Sequence, residues 1–266
     1  MLALIAGKGA LPVTLADALT TAGTPFRVLS LEGYEPDLPD VISFRVEALG
    51  KVLSDLAEAG VTEVCFAGAM HRPPIDVAKL HPLSLPLVPR LMAVLQHGDD
   101  RLLREVIAIF EEAGLKVRGA HDLAPDLVVA EGVVCGSPTD TDLTDAARGK
   151  EILATLGTLD IGQGCVVAGG QCLGVETLQG TDAMLGFVAQ SRAAVSPPPG
   201  GVFIKRAKPD QDLRIDMPAI GPETVSAAKA AGLSGISVQA GHVLILDKSE
   251  VITAARNAGL SLWSMP

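Results

Sequence analysis

Asp212, Arg214 and Asp216 stand at alternate positions of "DLRIDMP", residues 212–218, with Leu213, Ile215 and Met217 between them. Lys205, Arg206 and Lys208 lie just upstream, and a glycine turn at Gly221 follows. Side chains alternate faces along a strand, so this spacing predicts one charged face and one apolar face. Strand positions two apart are roughly 6.5 Å apart, and positions four apart roughly 13 Å. Asp212 and Asp216 would therefore not chelate one ion together. The chemistry expected is one carboxylate on a divalent metal and another fixing an Arg or Lys that holds phosphate. Magnesium suits this, because it takes one or two carboxylates with waters and substrate phosphates. Asp216, nearest the glycine turn, is the candidate metal or catalytic carboxylate, and Asp212 its support. The plain alternative is a half-exposed sheet with a solvated charged face.

Other stretches carry weaker signals. In "LIAGKGALPVTLADAL", Gly7 and Gly9 follow a short apolar run and precede a helix, with Glu32 near the end of the next strand. This begins a dinucleotide-binding fingerprint, but Leu11-Pro12 stands where the third glycine belongs. Either a phosphate or nucleoside sits at that helix N-terminus, or the glycines merely form a tight turn. In "LHPLSLPLVPRLMAVLQHGDD", residues 80–100, Leu83, Leu87 and other apolar residues crowd around Pro82, Pro86 and Pro89, which exclude a regular helix before about residue 90. That segment reads as core, as a dimer interface, or as a groove for acyl chains. Gly180-Thr181-Asp182 ends a strand and caps a helix, or else Glu176 and Asp182 flank a metal or phosphate site. His121 reads as a loop residue.

The elements that must position these residues follow a repeated plan. A helical stretch ends in glycine and an apolar strand follows at "TTAGTPFRVLS", "AEAGVTEVCFAG", "EEAGLKVRG", "KAAGLSGISV" and "RNAGLSLW". Five such junctions predict an α/β fold with helices over a largely parallel sheet. The plan stops at polar, acidic residues 136–150, which run into a helix, and "LDIGQGCVVAGGQCLGVETLQG" then reads as paired strands. The expectation is two domains: an N-terminal Rossmann-like parallel sheet with helices over 1–135, a linker and connecting helix over 136–158, and a C-terminal mixed α/β domain over 159–266. "SPPPGG", residues 196–201, reads as a surface loop.

Composition narrows the function classes. Nearly half of the 266 residues are hydrophobic, which is enough for a sizeable core. A net charge of −10 argues against nucleic acid, whose binding relies on Lys and Arg neutralising phosphates. Cys65, Cys135, Cys165 and Cys172 show no metal-like spacing and read as buried free thiols. The N-terminus lacks a basic leader, and no apolar run approaches the ~18–20 residues of a membrane span. A soluble, cytoplasmic chain is expected.

Taken together, "LIAGKGALP", "GDDRLLR", "GAHDLAPDLV", "LDIGQG", "QGTDAM", "KPDQDLRIDMPAIGPETV", "GLSGISVQAG" and "LILDK" resemble the LpxI-type UDP-2,3-diacylglucosamine pyrophosphatases of lipid A synthesis. The likeness spans nearly the whole chain and is most specific over Lys208–Thr224. Lys208, Gln211, Asp212, Arg214 and Asp216 match the pattern, whereas Asp210 stands where the family often has Gly. The resemblance implies hydrolysis of a pyrophosphate bond to UMP and 2,3-diacylglucosamine 1-phosphate, helped by Mg2+ or Mn2+. The candidate catalytic residues are Asp216, Asp212, Arg214 and Lys208, and the candidate metal ligands Asp216 and Asp182. Gly7, Gly9, Gln163, Gly180, Thr181, Gln211, Leu83 and Leu87 are the candidate substrate contacts. The expected partners are the lipid nucleotide and, in transient contact, the cytoplasmic face of the inner membrane; whether a second copy joins in a homodimer is left open by the sequence. The rival class is a nucleotide- or NAD-binding protein without hydrolase activity. A third is a lipid-binding protein whose charged strand holds a head group.

Overall fold

The structure, a computed structural model, describes residues 1–266 except 71–73, 95–98, 196 and 210, and gives the backbone alone for Asp99, Asp100 and Val195. Leu95, Gln96, His97, Gly98, Ser196 and Asp210 of the stretches quoted above thus lie outside the described residues. The chain divides into two compact units, Met1–Pro125 with Asp212–Asp216, and Asp126–Gln211 with Met217–Pro266.

The first unit is built on a fully parallel five-stranded sheet. Its elements are β1 (Leu2–Ala6), α1 (Ala10–Thr21), β2 (Phe26–Leu31), β3 (Ile42–Phe44), α2 (Leu49–Glu58), β4 (Glu63–Ala67), α3 (Val88–Val94), α4 (Asp99–Glu112), β5 (Lys116–Arg118) and α5 (Ala120–Leu123). The strand order is β3-β2-β1-β4-β5, so the direction of winding reverses between β1 and β4. That is the Rossmann-like arrangement expected, and β1 is buried along its whole length, as a strand covered on both faces must be. The core joins Ile5, Leu29, Val64 and Phe66 to Val52 and Leu56 of α2 and to Ile107 and Phe110 of α4. Phe66 and Phe110 meet edge to face at 5.1 Å between centroids.

The second unit is mixed. It contains β6 (Gly132–Cys135), α6 (Asp140–Gly157), β7 (Gly164–Ala168), β8 (Gln171–Val175), α7 (Gly180–Val195), β9 (Val202–Lys205), β10 (Ala219–Ile220), α8 (Pro222–Ala230), β11 (Gly235–Gln239), β12 (Leu244–Ile245), α9 (Lys248–Ala258) and β13 (Ser261–Met265). Six strands lie in the order β6-β13-β11-β9-β7-β8, and β10 pairs with β12 separately. β9, β11 and β13 run parallel, with antiparallel neighbours β7 and β6 on either side. Leu185 of α7, Val225 of α8 and Val251 of α9 pack with Phe203, Ile236 and Leu262. Ala146 and Leu153 of α6 pack with Cys165, Val202, Ile204 and Trp263.

All five helix–glycine–strand junctions are present, with the glycines at positive φ from 64° to 85°. β7 and β8 form the expected hairpin across Gly169-Gly170, whose N–H groups donate to the Asp145 carboxylate at 2.9 and 2.7 Å.

Four expectations are corrected. Residues 136–158 are not a connecting stretch, because α6 lies in the core of the second unit and β6 pairs with β13. Residues 212–216 form a turn and not a strand. There the Asp212 carboxylate accepts the Arg214 N–H at 3.1 Å, and the Asp212 carbonyl accepts from Ile215 and Asp216 at 3.3 Å. A short polar side chain bonding its own backbone two residues on competes with extended pairing. Cys172, on edge strand β8, is exposed, unlike the other three thiols. Pro82–Leu87 is a 3-10 helix, and α3 begins directly at Val88 with Pro89 in its first turn. Among the described residues no helix is long and apolar enough to cross a membrane.

Candidate active site

In the first unit the Asp212–Asp216 turn is organised by one arginine. Arg214 grips Asp212 with a two-pronged contact, Nε–Oδ1 at 2.9 Å and Nη2–Oδ2 at 2.7 Å, and its Nη1 donates to Glu111 of α4 at 2.7 Å. Bidentate guanidinium–carboxylate pairing fixes direction as well as charge. It holds the Asp212 carboxyl below its usual range and raises Arg214 above its own. The stabilisation from Asp212 is therefore complete above the ordinary carboxylate range and is lost as pH falls through the lowered value. Ile215 packs against the core of this unit, while Leu213 is only half-buried. Alternation thus does not place Asp212, Arg214 and Asp216 on one face. What joins Asp212 to Arg214 is a turn.

The turn after β1 uses its glycines structurally. Gly7 donates to Ala67 at 2.8 Å, and Lys8 exchanges backbone hydrogen bonds with Ala69 at 3.0 and 2.8 Å. A Cβ on Gly7 would lie 2.5 Å from the Ala69 carbonyl oxygen, so only glycine permits this approach. Gly9 is exposed, precedes α1 with φ 101°, and leaves that N-terminus without a side-chain cap. A cleft of about 430 Å³ lies between β2, β3 and α2, lined by Glu32, Arg45 and Lys51 among others. It holds none of the predicted site residues. Leu83, Leu85 and Met92 are exposed, whereas Leu87 and Leu91 pack on the core. Gly50 abuts the Leu83 carbonyl, and Ser84 Oγ accepts the Gly50 N–H at 2.9 Å, anchoring the 3-10 turn to α2.

In the second unit the polar groups gather at the carboxyl end of β9. Lys205 is buried and donates to Glu176 Oε2 and Thr181 Oγ1, each at 2.7 Å, and Thr181 donates to Glu176 at 3.0 Å. Thr181 is in the first turn of α7, which Gly180 opens at φ 85°. The "LDIGQG" motif makes room for Glu176, since a Cβ on Gly164 would lie 2.6 Å from its carboxylate. The Gln163 carbonyl accepts the Arg206 N–H at 2.8 Å. Lys208 Nζ lies 2.6 Å from Asp160, and the Gln211 side chain accepts the Lys208 N–H at 2.9 Å. Asp182 is exposed in the first turn of α7, where a helix N-terminus favours any carboxylate.

The structure therefore joins Asp212 with Arg214 in one unit, and Gly180, Thr181, Gln163, Lys208 and Gln211 belong to the other. Sequence reasoning noted Lys205 and Glu176 but not their pairing, and missed Glu111 and Asp160 as partners of Arg214 and Lys208. The cation-rich "KRAK" run was the available signal for the first of these. Among the described residues no group of three or more His, Cys, Asp or Glu side chains could enclose a metal ion. The oxygen donors present are of the kind Mg2+ takes, and an ion completed by substrate phosphates and water needs only one or two of them.

The LpxI N-terminal domain family matches residues 1–127 and the LpxI C-terminal domain family residues 130–263. The chain belongs to the LpxI family. It is also 38% identical over 266 aligned positions to the UDP-2,3-diacylglucosamine pyrophosphatase LpxI of Caulobacter vibrioides, covering 97% of this chain and 95% of the relative. The two LpxI domain matches meet near the same point in the sequence as the two compact units, apart from the short Asp212–Asp216 excursion.

Proposed function

We propose that this chain hydrolyses the pyrophosphate bond of UDP-2,3-diacylglucosamine in lipid A biosynthesis. The observation that carries this reading is the identity along nearly the whole chain to a relative bearing that activity in its name. Water adds to one phosphorus, the P–O–P anhydride breaks, and UMP and 2,3-diacylglucosamine 1-phosphate result, with two protons released when both phosphomonoesters are dianions. Catalysis of such a step is mostly placement and charge stabilisation. Arg214, oriented by Asp212, and Lys208 are the cations assigned to the phosphate charge. Asp216 would hold Mg2+ together with substrate oxygens, and the ion supplies neutralisation of the pyrophosphate. Gly9, Gln163, Gly180, Thr181 and Gln211 are assigned to substrate contacts. Gly7 acts through the close backbone approach it allows.

The substrate carries two acyl chains, so its enzyme must meet apolar surface and a lipid boundary. Exposed Leu83, Leu85 and Met92 are the surface assigned to those chains, and the chain would act at the cytoplasmic face of the inner membrane. A net charge of −10 argues against nucleic acid as the substrate. The strand order of the first unit favours a nucleotide-binding protein without hydrolase activity as the second reading. The test is release of UMP from UDP-2,3-diacylglucosamine, before and after exhaustive EDTA treatment and with Mg2+ restored. Activity that disappears with EDTA and returns with Mg2+ supports the full reading. Activity untouched by EDTA removes the metal, and no UMP at all leaves the nucleotide-binding alternative.

A further inference from the structure

Arg206 follows β9 directly at the carboxyl end of the parallel strands, and its residue is only 8% exposed. Its Nη1 is buried without a hydrogen-bond partner, and no side-chain ion pair is made by Arg206 among the described residues. Its neighbours in sequence differ. Lys205 has Glu176 and Thr181, and Lys208 has Asp160. Arg192, in the same unit, shows a satisfied arginine: it donates to the carbonyls of Ala231, Pro198 and Gly200 at 3.1, 2.8 and 2.6 Å.

A guanidinium cannot shed its charge to escape burial, because it stays protonated throughout the working pH range. Burial alone pulls the basicity of Arg206 down, with no anion opposing it. A buried cation is costly to hold unless it is paired and hydrogen-bonded. Its main chain is pinned, with the Arg206 N–H on Gln163 at 2.8 Å and the next N–H, of Ala207, on Gln239 Oε1 at 3.2 Å. The residue is thus held at the ends of β9 and β11, the place where open α/β sheets collect ligands. Two register positions deeper, on the same face of β9, stand Ile204, Ser237 and Trp263. There Ser237 Oγ and Trp263 Nε1 are also buried without partners.

We propose that Arg206 is a phosphate-binding residue whose planar fork is completed by the oxyanion of a phosphomonoester or diphosphate ligand. Assigning that oxyanion to the cleaved pyrophosphate rests on the hydrolase reading above; the anion site itself does not.

The experiment compares wild type, Arg206→Met and Arg206→Lys as full-length chains. Calorimetric titrations use inorganic pyrophosphate, UMP and 2,3-diacylglucosamine 1-phosphate, and a thermal melt is recorded for each protein. Arg206→Met is expected to raise Kd by about 10–100-fold for the ligand whose phosphate it holds. Its melting temperature should be equal or higher, since an unpaired buried charge has been replaced by an apolar chain of similar length. Arg206→Lys should lose less affinity, and it keeps the test open if the methionine variant does not fold. The arm that weakens, UMP or the lipid phosphate, tells which end of the substrate is held. Unchanged affinities in both variants, a wild type that binds none of the three, or a lower melting temperature with unchanged Kd would each overturn the proposal. A wild type that binds pyrophosphate through Arg206 yet releases no UMP would remove the hydrolase reading and leave this site standing. Wild-type kcat/KM in Arg206→Met would leave the hydrolase reading standing and remove the assignment of this site to the cleaved pyrophosphate.

Discussion

At the end of β1 the backbone donors of Gly7 and Lys8 are taken up by the last residue of β4 and the loop after it, whereas at the end of β9 the buried Nη1 of Arg206 has no acceptor among the described residues. The first place carries the sequence signal of a phosphate site and uses it to pack two backbones together. The second carries no glycine fingerprint and holds the cation whose balance is incomplete. Glycine spacing therefore reports how near one backbone must come to another. What remains for a ligand is read from which polar groups are still unsatisfied. The same contrast separates two arginines, since Arg214 is matched by Asp212 and Glu111.

The largest expected effect tests whether the first unit contributes to the chemistry at all. Asp216→Ala should lower kcat by about 10²–10⁴-fold if Asp216 acts on the reacting phosphate or its water. Asp212→Ala should instead disturb KM and kcat together, because it frees Arg214 from its fork. Steady-state kinetics on both folded variants reads this. A nearly wild-type Asp216→Ala would move the reaction away from the turn of the first unit and sharpen the contrast in favour of β9.

The next effect concerns stability. Glu176→Ala leaves Lys205 buried without its carboxylate, and losses from such breaks run to about 3–5 kcal/mol. Urea unfolding of Glu176→Ala should show a loss of that order. Little or no loss would mean that Thr181 and the surroundings satisfy Lys205 alone, and would weaken the contrast with Arg206.

The smallest effect lies on the exposed apolar turn of the first unit. Leu83→Ser should raise KM for the diacylated substrate by a few-fold while leaving the melting temperature near wild type. Leu87→Ser, on the core side, should lower stability instead. Equal kinetics with wild type for Leu83→Ser would leave the patch without a role in substrate binding.

Much of the fold was legible because its signals are local. Glycine after a helix, the Gly169-Gly170 hairpin and the apolar β1 run each depend on a few adjacent residues. The turn at 212–216 was misread for a physical reason. Its charges alternate with the period of a strand, yet the short side chain of Asp212 bonds the Arg214 N–H and bends the chain. Leu213 consequently lost its predicted core position. Its truncation should cost less than that of a fully buried leucine.

The partners that define the candidate site were not legible. Glu176 reaches Lys205 across 29 residues, Asp160 reaches Lys208 across 48, and Glu111 reaches Arg214 across 103. Composition and periodicity do not contain such pairs. Nor could they show that β6 belongs with β13, which moves residues 132–135 and α6 into the second unit. The family resemblance named candidate residues without giving the contacts that hold them.

The most direct test of the proposed activity is identification of the two products. Purified chain would be incubated with UDP-2,3-diacylglucosamine and Mg2+, and both products analysed by mass spectrometry. The account predicts UMP and 2,3-diacylglucosamine 1-phosphate in equal amounts. UDP with free diacylglucosamine, or intact substrate after prolonged incubation with folded protein, would contradict it.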